Sequence, residues 1–128
     1  MNDPISDMFI RIKNAQRAKQ EMVRIPYSQM KHEIARALER SGMIGASERK
    51  GKRIRKILDV QLLYPEGNAA INEVKLISKP SRRLYSSYKD LHRPAHGGII
   101  LLTTPKGILS SAEAHKEKIG GQLLAEIW

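Results

Sequence analysis

Five consecutive residues that directly follow an apolar run combine groups able to contact a nucleic acid: Thr103, Thr104, Pro105, Lys106 and Gly107. Threonine hydroxyls can donate to and accept from base edges or ribose hydroxyls, and a lysine ammonium can bind a phosphate. A glycine lets the backbone approach a ligand closely. The residues alone leave two interpretations open: a recognition loop at the end of a rigid strand, or a tight turn without a ligand.

Phosphate-loop and metal-site patterns are matched only in part. Five residues separate Gly45 from Gly51 where a phosphate loop has four, and Arg53 stands where that loop needs a serine or threonine for magnesium. His92 and His96 have the spacing of metal ligands on a helix, but the proline and glycines around them disfavour a helix. We therefore predict no catalytic residue, no metal and no cofactor.

The strongest signal in the composition is the charge. The 128 residues include 23 Lys and Arg against 13 Asp and Glu, which gives a formal net charge of +10 and a sequence pI of about 10.1. Such a surplus repels itself in a compact protein and is typical of proteins that bind a polyanion. The alternatives are a basic surface that only aids solubility, a general packaging protein for nucleic acid, and an RNA-processing enzyme that uses His92 or His96 in acid–base catalysis.

The remaining composition narrows the class further. Cysteine is absent, and no apolar stretch reaches the roughly 18 residues of a membrane span. The amino terminus lacks the basic and apolar regions of a secretory signal. We therefore expect a cytoplasmic protein with no disulfide framework and no membrane partner, and an organelle is the alternative location.

The first elements of the chain are typical of a small α/β layer. Asp3 and Pro4 indicate the start of a helix, and apolar side chains recur on one face of the residues that follow. The opposite arc of this helix is polar and comprises Arg11, Lys13, Asn14 and Arg17. One side of the helix is therefore expected to pack, and the other to be cationic.

A strand, a second helix and a hairpin are predicted next. Residues 21–26 indicate a short strand, and Ser28 can cap a helix whose apolar stripe leaves Lys31 outside it. From residue 43 the pattern suggests a hairpin with a first strand at 43–44, a very basic connection, and a second strand at 57–64.

The second half of the chain is predicted to be mainly β. Turn formers at 65–68 mark the boundary, so that the first domain is 1–66 and the second 67–128. The predicted strands are 71–78, 82–87, 99–104 and 123–128, and a capping box at Ser110 starts one short helix that runs through Lys118. The predicted fold class is α+β with two small domains: an N-terminal α-β-α-β-β layer and a C-terminal mainly β domain with one short helix.

Two residues of the predicted strand 82–87 are further candidates for binding. Tyr85 can stack on an unpaired base, and Arg82 can bind a phosphate. Because side chains alternate along a strand, Arg82 and Arg83 lie on opposite faces and at most one of them can face a given ligand. The alternative for Tyr85 is a place in the core.

Four segments in order, "DPISDMFIRIKNAQRA", "VRIPYSQMK", "SKPSRRLY" and "TTPKGILSSAEAHKEKIGGQLLAEIW", resemble the bacterial small-subunit ribosomal protein S-eight family over nearly the whole chain. The resemblance implies a structural protein that binds the central domain of small-subunit ribosomal RNA and helps to organise its assembly. It also implies contacts with neighbouring small-subunit ribosomal proteins and, as in some members, repression of its own messenger RNA.

The resemblance also implies which residues touch RNA. Residues 103–107 match the recognition loop, Tyr85 the contact tyrosine, and Gly120 and Gly121 the glycine pair before the last strand, with Gln122 next to them. Asp3, Pro4 and the segment from Ser28 to Lys31 match a second region that touches RNA. Family members usually carry a third hydroxyl where Pro105 stands and a glutamate where Gln122 stands, so this chain lacks one hydroxyl and one backbone donor at the loop.

Overall fold

The computed structural model describes residues 3–128. These residues form three α-helices and eight strands, which in chain order are α1 (Pro4–Arg17), β1 (Met22–Pro26), α2 (Gln29–Arg40), β2 (Ser47–Lys50), β3 (Ile57–Gln61), β4 (Val74–Leu76), β5 (Tyr85–Ser86), β6 (Ile99–Thr104), β7 (Gly107–Ser110), α3 (Ser111–Glu117) and β8 (Gly121–Ile127). The predicted α+β class, with a mainly β second part that carries one short helix, is confirmed.

The chain divides into two compact units, the first ending at Asn72 and the second beginning at Glu73. The turn at residues 65–68 therefore lies inside the first unit, although we placed the boundary there. Beyond the turn Ile71 is buried, and its backbone N–H donates to the side-chain oxygen of Gln16 at 3.0 Å. This contact ties the segment after the turn to α1.

The start and the buried face of α1 are as predicted. The Asp3 carboxylate accepts from the backbone N–H of Ile5 at 3.0 Å, and Pro4 occupies the first turn, where a missing N–H costs nothing. The side chains that α1 buries are Met8, Phe9, Ile12, Ala15 and Gln16. Only Gln16 among them is polar, and its amide donates to the carbonyl of Leu63 at 3.3 Å.

In the sheet of the first unit, β3 lies between β1 and β2 and pairs with both antiparallel. The prediction of a first hairpin strand at 43–44 is wrong, because the first strand is β2, most of which belongs to the basic segment that we interpreted as a connection. Its cationic side chains point to solvent while its backbone pairs with β3, which is how charged residues serve in an edge strand. The Glu39 carboxylate fixes the entry to β2 by accepting from the N–H and the hydroxyl of Ser47, both at 3.1 Å.

The position predicted for Lys31 is also wrong. Ser28 caps α2 as expected, by accepting from the backbone N–H of Lys31 at 3.1 Å. However, the Lys31 side chain is only 7% exposed, and its ammonium donates to the carbonyl of Pro26 at 3.3 Å. A buried charge requires such a partner, so Lys31 belongs to the packed side of α2.

In the second unit, β8 and β6 are central: β4 and β5 pair with β8, and β7 pairs with β6, all antiparallel. The predicted strands 71–78 and 82–87 are shortened to β4 and β5. The chain turns between them, where Lys79 and Arg82 exchange backbone hydrogen bonds of 2.8 and 2.9 Å. The strand β7 was not predicted.

The short helix α3 begins at the predicted capping box, in which the hydroxyl of Ser110 accepts from the N–H of Glu113 and the Glu113 carboxylate accepts in return. It ends at Glu117, because Lys118 adopts left-handed backbone angles with φ of 56°. The last strand starts at Gly121, which is earlier than predicted.

Candidate nucleic-acid interface

Strand pairing brings three of the predicted binding residues into one row. Tyr85 on β5 lies opposite Gln122 on β8, and Gln122 lies opposite Thr103 on β6. Residues directly opposite in antiparallel strands project from the same face of the sheet, so Tyr85, Gln122 and Thr103 form what we call the polar row. The Tyr85 side chain is 69% exposed, and its alternative place in the core is therefore wrong.

A β-bulge sets the register of this row. Leu101 pairs with Ala125, but the next residue, Leu102, pairs with Leu123. Leu124 is thus the extra residue on β8, and beyond it each β6 residue meets a partner one position earlier in β8 than a regular ladder would give. Without the bulge an apolar leucine would lie opposite Thr103 instead of Gln122.

The glycine pair allows the strands of the row to approach one another. A methyl group on Gly121 would collide with the carbonyl oxygen of Thr103, and one on Gly120 would collide with the carbonyl oxygen of Ser86. Neither glycine has a positive φ, so the requirement is for space rather than for backbone freedom. Gly120 and Gly121 therefore allow the backbones next to the polar row to pack closely.

The tip that joins β6 to β7, residues 103–107, is fastened by Thr104. Its hydroxyl accepts from the backbone N–H of Lys106 at 3.1 Å and donates to the carbonyl of Gly107 at 2.8 Å. Thr104 is 6% exposed, and Gly107 has a φ of +103°, which favours glycine. The hydroxyl of Thr104 is thus used inside the turn and stabilises its conformation.

The other polar groups of the tip differ in their access to a ligand. The hydroxyl oxygen of Thr103 is enclosed and has no hydrogen-bond partner among residues 3–128, so it reaches a ligand only after the side chain rotates. The ammonium of Lys106 is exposed and lies 3.2 Å from the carboxylate of Glu117. Pro105 and Arg82 are exposed.

The predicted contacts of the first unit are placed unevenly. The Asp3 carboxylate and the Ser28 hydroxyl cap their helices, and the Lys31 ammonium is buried. The guanidinium of Arg11 pairs with Asp7 at 2.9 Å, while both side chains remain partly exposed. Among the predicted contact residues of α1, four are exposed and Lys13 is half-buried. The exposed ones are Pro4, Arg11, Asn14 and Arg17.

A charged cleft between α2 and β2 was missed in the sequence. It measures about 470 Å³, and it is lined by the basic side chains of His32, Arg36, Arg40 and Arg49 and by the carboxylates of Glu39 and Glu48. The first three recur at four-residue spacing on α2, which is a helical pattern that could have indicated a shared face. Burial, and then the nearby charges of Arg36 and Arg49, lower the pKa of His32 from its ordinary value.

The histidines considered for metal or acid–base chemistry have structural neighbours. The His96 ring stacks on Trp128 at 4.0 Å between centroids and lies 3.4 Å from a carboxylate oxygen of Glu126. His92 lines a separate cleft with His115. In the described part of the chain, no three His, Cys, Asp or Glu side chains come together as a metal site, and no helix is long and apolar enough to cross a membrane.

The fold, the charge and the polar row define a small basic α+β protein of the class that associates with nucleic acid. The model of the family described as Ribosomal protein S8 matches residues 3–128. Curated relatives match along their whole length: Small ribosomal subunit protein uS8 of Coprothermobacter proteolyticus is 44% identical over 131 residues, with 100% of this chain and 99% of the relative covered. The proteins of the same name from Mycoplasmopsis agalactiae and Rhizorhabdus wittichii are 41% and 40% identical over 129 residues, with 100% and 98% covered in each case.

The chain therefore belongs to the Ribosomal protein S8 family. Its members are structural proteins of the small ribosomal subunit and not enzymes, so the RNA-processing alternative is set aside. Membership implies ribosomal RNA and other ribosomal proteins as partners, and it confirms the predicted ribosomal location in the cytoplasm.

Proposed function

We propose that the second unit binds the central domain of small-subunit ribosomal RNA directly, through the polar row and the adjoining tip. The observation that carries this proposal is the position of Tyr85, which is 69% exposed although it is held within a sheet. An exposed aromatic ring contributes little to folding, but it can stack on an unpaired base with a contribution of about 1–3 kcal/mol. Gln122 beside it can donate to and accept from base edges.

The tip contributes a rigid backbone turn to this interface. Because Thr104 already holds the turn, residues 103–107 lose little conformational entropy when a ligand binds. Gly107 lets RNA approach the backbone, and Lys106 and Arg82 attract phosphates. The enclosed hydroxyl of Thr103 gains a partner if it rotates toward a ribose or base, which would remove the cost of an unsatisfied buried group.

The first unit adds contacts that are not specific for sequence. Arg11, Asn14 and Arg17 are exposed on α1, with Lys13 beside them, and each can contact a phosphate. Asp3, Ser28 and Lys31 support this surface indirectly, by fixing the ends of α1 and α2. Through both sets of contacts the protein would organise the assembly of the central domain.

The same surface would serve a second RNA. A messenger segment that copies the irregular shape of the ribosomal site would bind the polar row in competition with it, and this would repress translation of the protein's own messenger. The prediction specific to this role is that both RNAs compete for one site and lose affinity together when Tyr85 is changed.

The test compares Tyr85→Ala with the full-length wild type on a central-domain transcript and on a random duplex of equal length. We expect a loss of about 10- to 100-fold on the central-domain RNA and little change on the duplex, because stacking requires an unpaired base. The free energy of unfolding should stay unchanged, since the ring is exposed.

Tyr88→Ala is the matched control, because this tyrosine belongs to the same unit but packs edge-to-face on His115 outside the row. Equal losses from the two variants, or no preference of the wild type for central-domain RNA, would refute the proposed interface.

A further inference from the structure

The β2–β3 loop, residues 51–56, presents an apolar side chain fully to solvent. Ile54 is 97% exposed, which is more than any other large apolar side chain in residues 3–128. A β-branched residue in this position contributes nothing to the core, and its apolar surface would gain from burial against a partner. Ile54 becomes informative together with the charges that flank it.

Four cations surround Ile54, and we call them the loop cations: Lys52, Arg53, Arg55 and Lys56. All four are exposed, and within the described chain none of them forms an ion pair. Lys50, just before the loop, differs from them because it lies 3.2 Å from the buried carboxylate of Asp59. The charges of the loop are thus available to an anionic partner, and their mutual repulsion would fall on binding.

The backbone of the loop forms a closed turn that carries Ile54 and the loop cations, all of them exposed. Gly51 has a φ of +93° and Arg53 a φ of +55°, and the N–H of Arg55 donates to the carbonyl of Lys52 at 3.2 Å. A methyl group on Gly51 would collide with the carbonyl oxygen of Arg55. The loop is therefore a defined turn and not an extended tail.

We propose that this loop is a further RNA-binding element, in which the loop cations bind phosphates and Ile54 inserts as an apolar wedge at an unstacked base step. Side chains of this kind, flanked by cations, can separate stacked bases in nucleic-acid complexes. A bilayer is a poorer partner, because membrane binding needs a broader apolar face than one isoleucine. The choice of RNA over an acidic protein rests on the proposed function.

The charge part of this proposal is tested by the salt dependence of binding. The loop variant replaces all four loop cations with glutamine in the full-length chain, and its affinity is measured at several salt concentrations on a central-domain transcript and on an unrelated structured RNA. Each lost phosphate contact lowers the log–log slope by ~0.7 to ~0.9, so we expect a decrease of about 3 on both RNAs. The charge control carries Lys→Gln at four exposed lysines elsewhere: Lys19, Lys75, Lys79 and Lys116.

The wedge part is tested by Ile54→Ser against Met22→Ser, which also removes an exposed large apolar side chain but lies outside the proposed RNA surfaces. We expect Ile54→Ser to weaken RNA binding about tenfold without a change in the salt slope. Because the chain contains no cysteine, Ile54→Cys also allows an iron chelate to be attached at this one position. The hydroxyl radicals it generates should cut the bound RNA at discrete nucleotides.

The outcomes separate this inference from the proposed function. A wild type without preference for central-domain RNA would refute the proposed function, while a smaller salt slope of the loop variant on both RNAs would still support the loop. The inference is overturned if the loop variant has the same slope as the charge control on both RNAs, or if cleavage from position 54 is as diffuse as that of the free chelate. A larger effect of Ile54→Ser on anionic vesicles than on RNA would overturn it as well.

Discussion

The tip at residues 103–107 and the β2–β3 loop at 51–56 both connect adjacent strands, but they are built in opposite ways. In the tip, a two-residue connection is fastened by both hydrogen bonds of the Thr104 hydroxyl, and the cation Lys106 is paired with Glu117. In the loop, the cations have no ion pair among the described residues, and Ile54 is left in solvent. The polar groups of the tip therefore contact one another or a neighbouring carboxylate, whereas the charged groups of the loop remain available to a partner.

This difference teaches how a small basic protein can combine affinity and selectivity. Free cations attract any phosphate and so cannot select a sequence or a shape. A rigid tip beside an exposed ring selects by fit, because it loses little entropy on binding and tolerates few alternative geometries. The comparison predicts that changes in the tip alter stability and preference together, while changes in the loop alter affinity for every RNA.

The largest loss of stability is expected from Gly121→Ala, on the strand next to the tip. The added methyl would collide with the carbonyl of Thr103, so β8 must move away from β6 or the hydrogen bonds between them must break. Overpacking of this kind costs about 1–3 kcal/mol, and more when backbone atoms are involved. The single tryptophan, Trp128, belongs to the second unit, so urea unfolding followed by its fluorescence should show the loss.

Gly97→Ala is the control for this prediction. Its methyl would meet open space, but its φ of +79° is unfavourable for alanine, so the cost should be about 1 kcal/mol from backbone strain alone. If Gly121→Ala costs no more than Gly97→Ala, close approach of the strands is not the reason for the glycine.

A smaller loss of stability is expected from Thr104→Val, which keeps the shape of the side chain and removes its hydroxyl. The N–H of Lys106 and the carbonyl of Gly107 then lose their partner, which should cost about 1–2 kcal/mol in the free energy of unfolding. Preference for central-domain RNA over random duplex should fall as well, because the loosened tip must be ordered on binding.

Thr103→Val is the matched control, since its hydroxyl has no partner within the described residues. Its removal should leave stability unchanged or raise it, because an unsatisfied buried group is lost. A decrease in stability as large as that of Thr104→Val would contradict the distinction between the two threonines.

Much of the scaffold could be predicted from local sequence signals. The caps at Asp3, Ser28 and Ser110, and the apolar face of α1, depend on residues within a few positions of each other, and they appear as predicted. The strand β2 could not be recognised in this way, because its exposed cations hide a backbone that pairs with β3. Lys31 was misplaced because its partner, the carbonyl of Pro26, depends on how β1 leads into α2.

The candidate site was predicted by residue type but not by geometry. Tyr85 and the threonines could be identified as candidates from the sequence, yet their arrangement depends on the bulge at Leu124, which shifts the pairing of β6 with β8. A bulge leaves no clear local pattern here, since Leu124 stands between two other apolar residues, Leu123 and Ala125. The division of roles between the two threonines could not be predicted either, because it depends on which hydroxyl closes the turn.

The smallest expected effect concerns the charge of the tip. Glu117→Gln removes the partner of Lys106 and frees its ammonium for phosphate, which would make the tip resemble the β2–β3 loop. An exposed ion pair contributes about 0.2–1 kcal/mol, so affinity should rise by less than about fivefold, and by the same factor on central-domain RNA and random duplex. Glu21→Gln changes the net charge equally at an exposed site of the first unit and serves as control. An equal gain in affinity in both variants would show that only net charge matters. A gain confined to central-domain RNA would mean that Lys106 helps to select the RNA, so that the tip would combine electrostatic attraction with selection by shape.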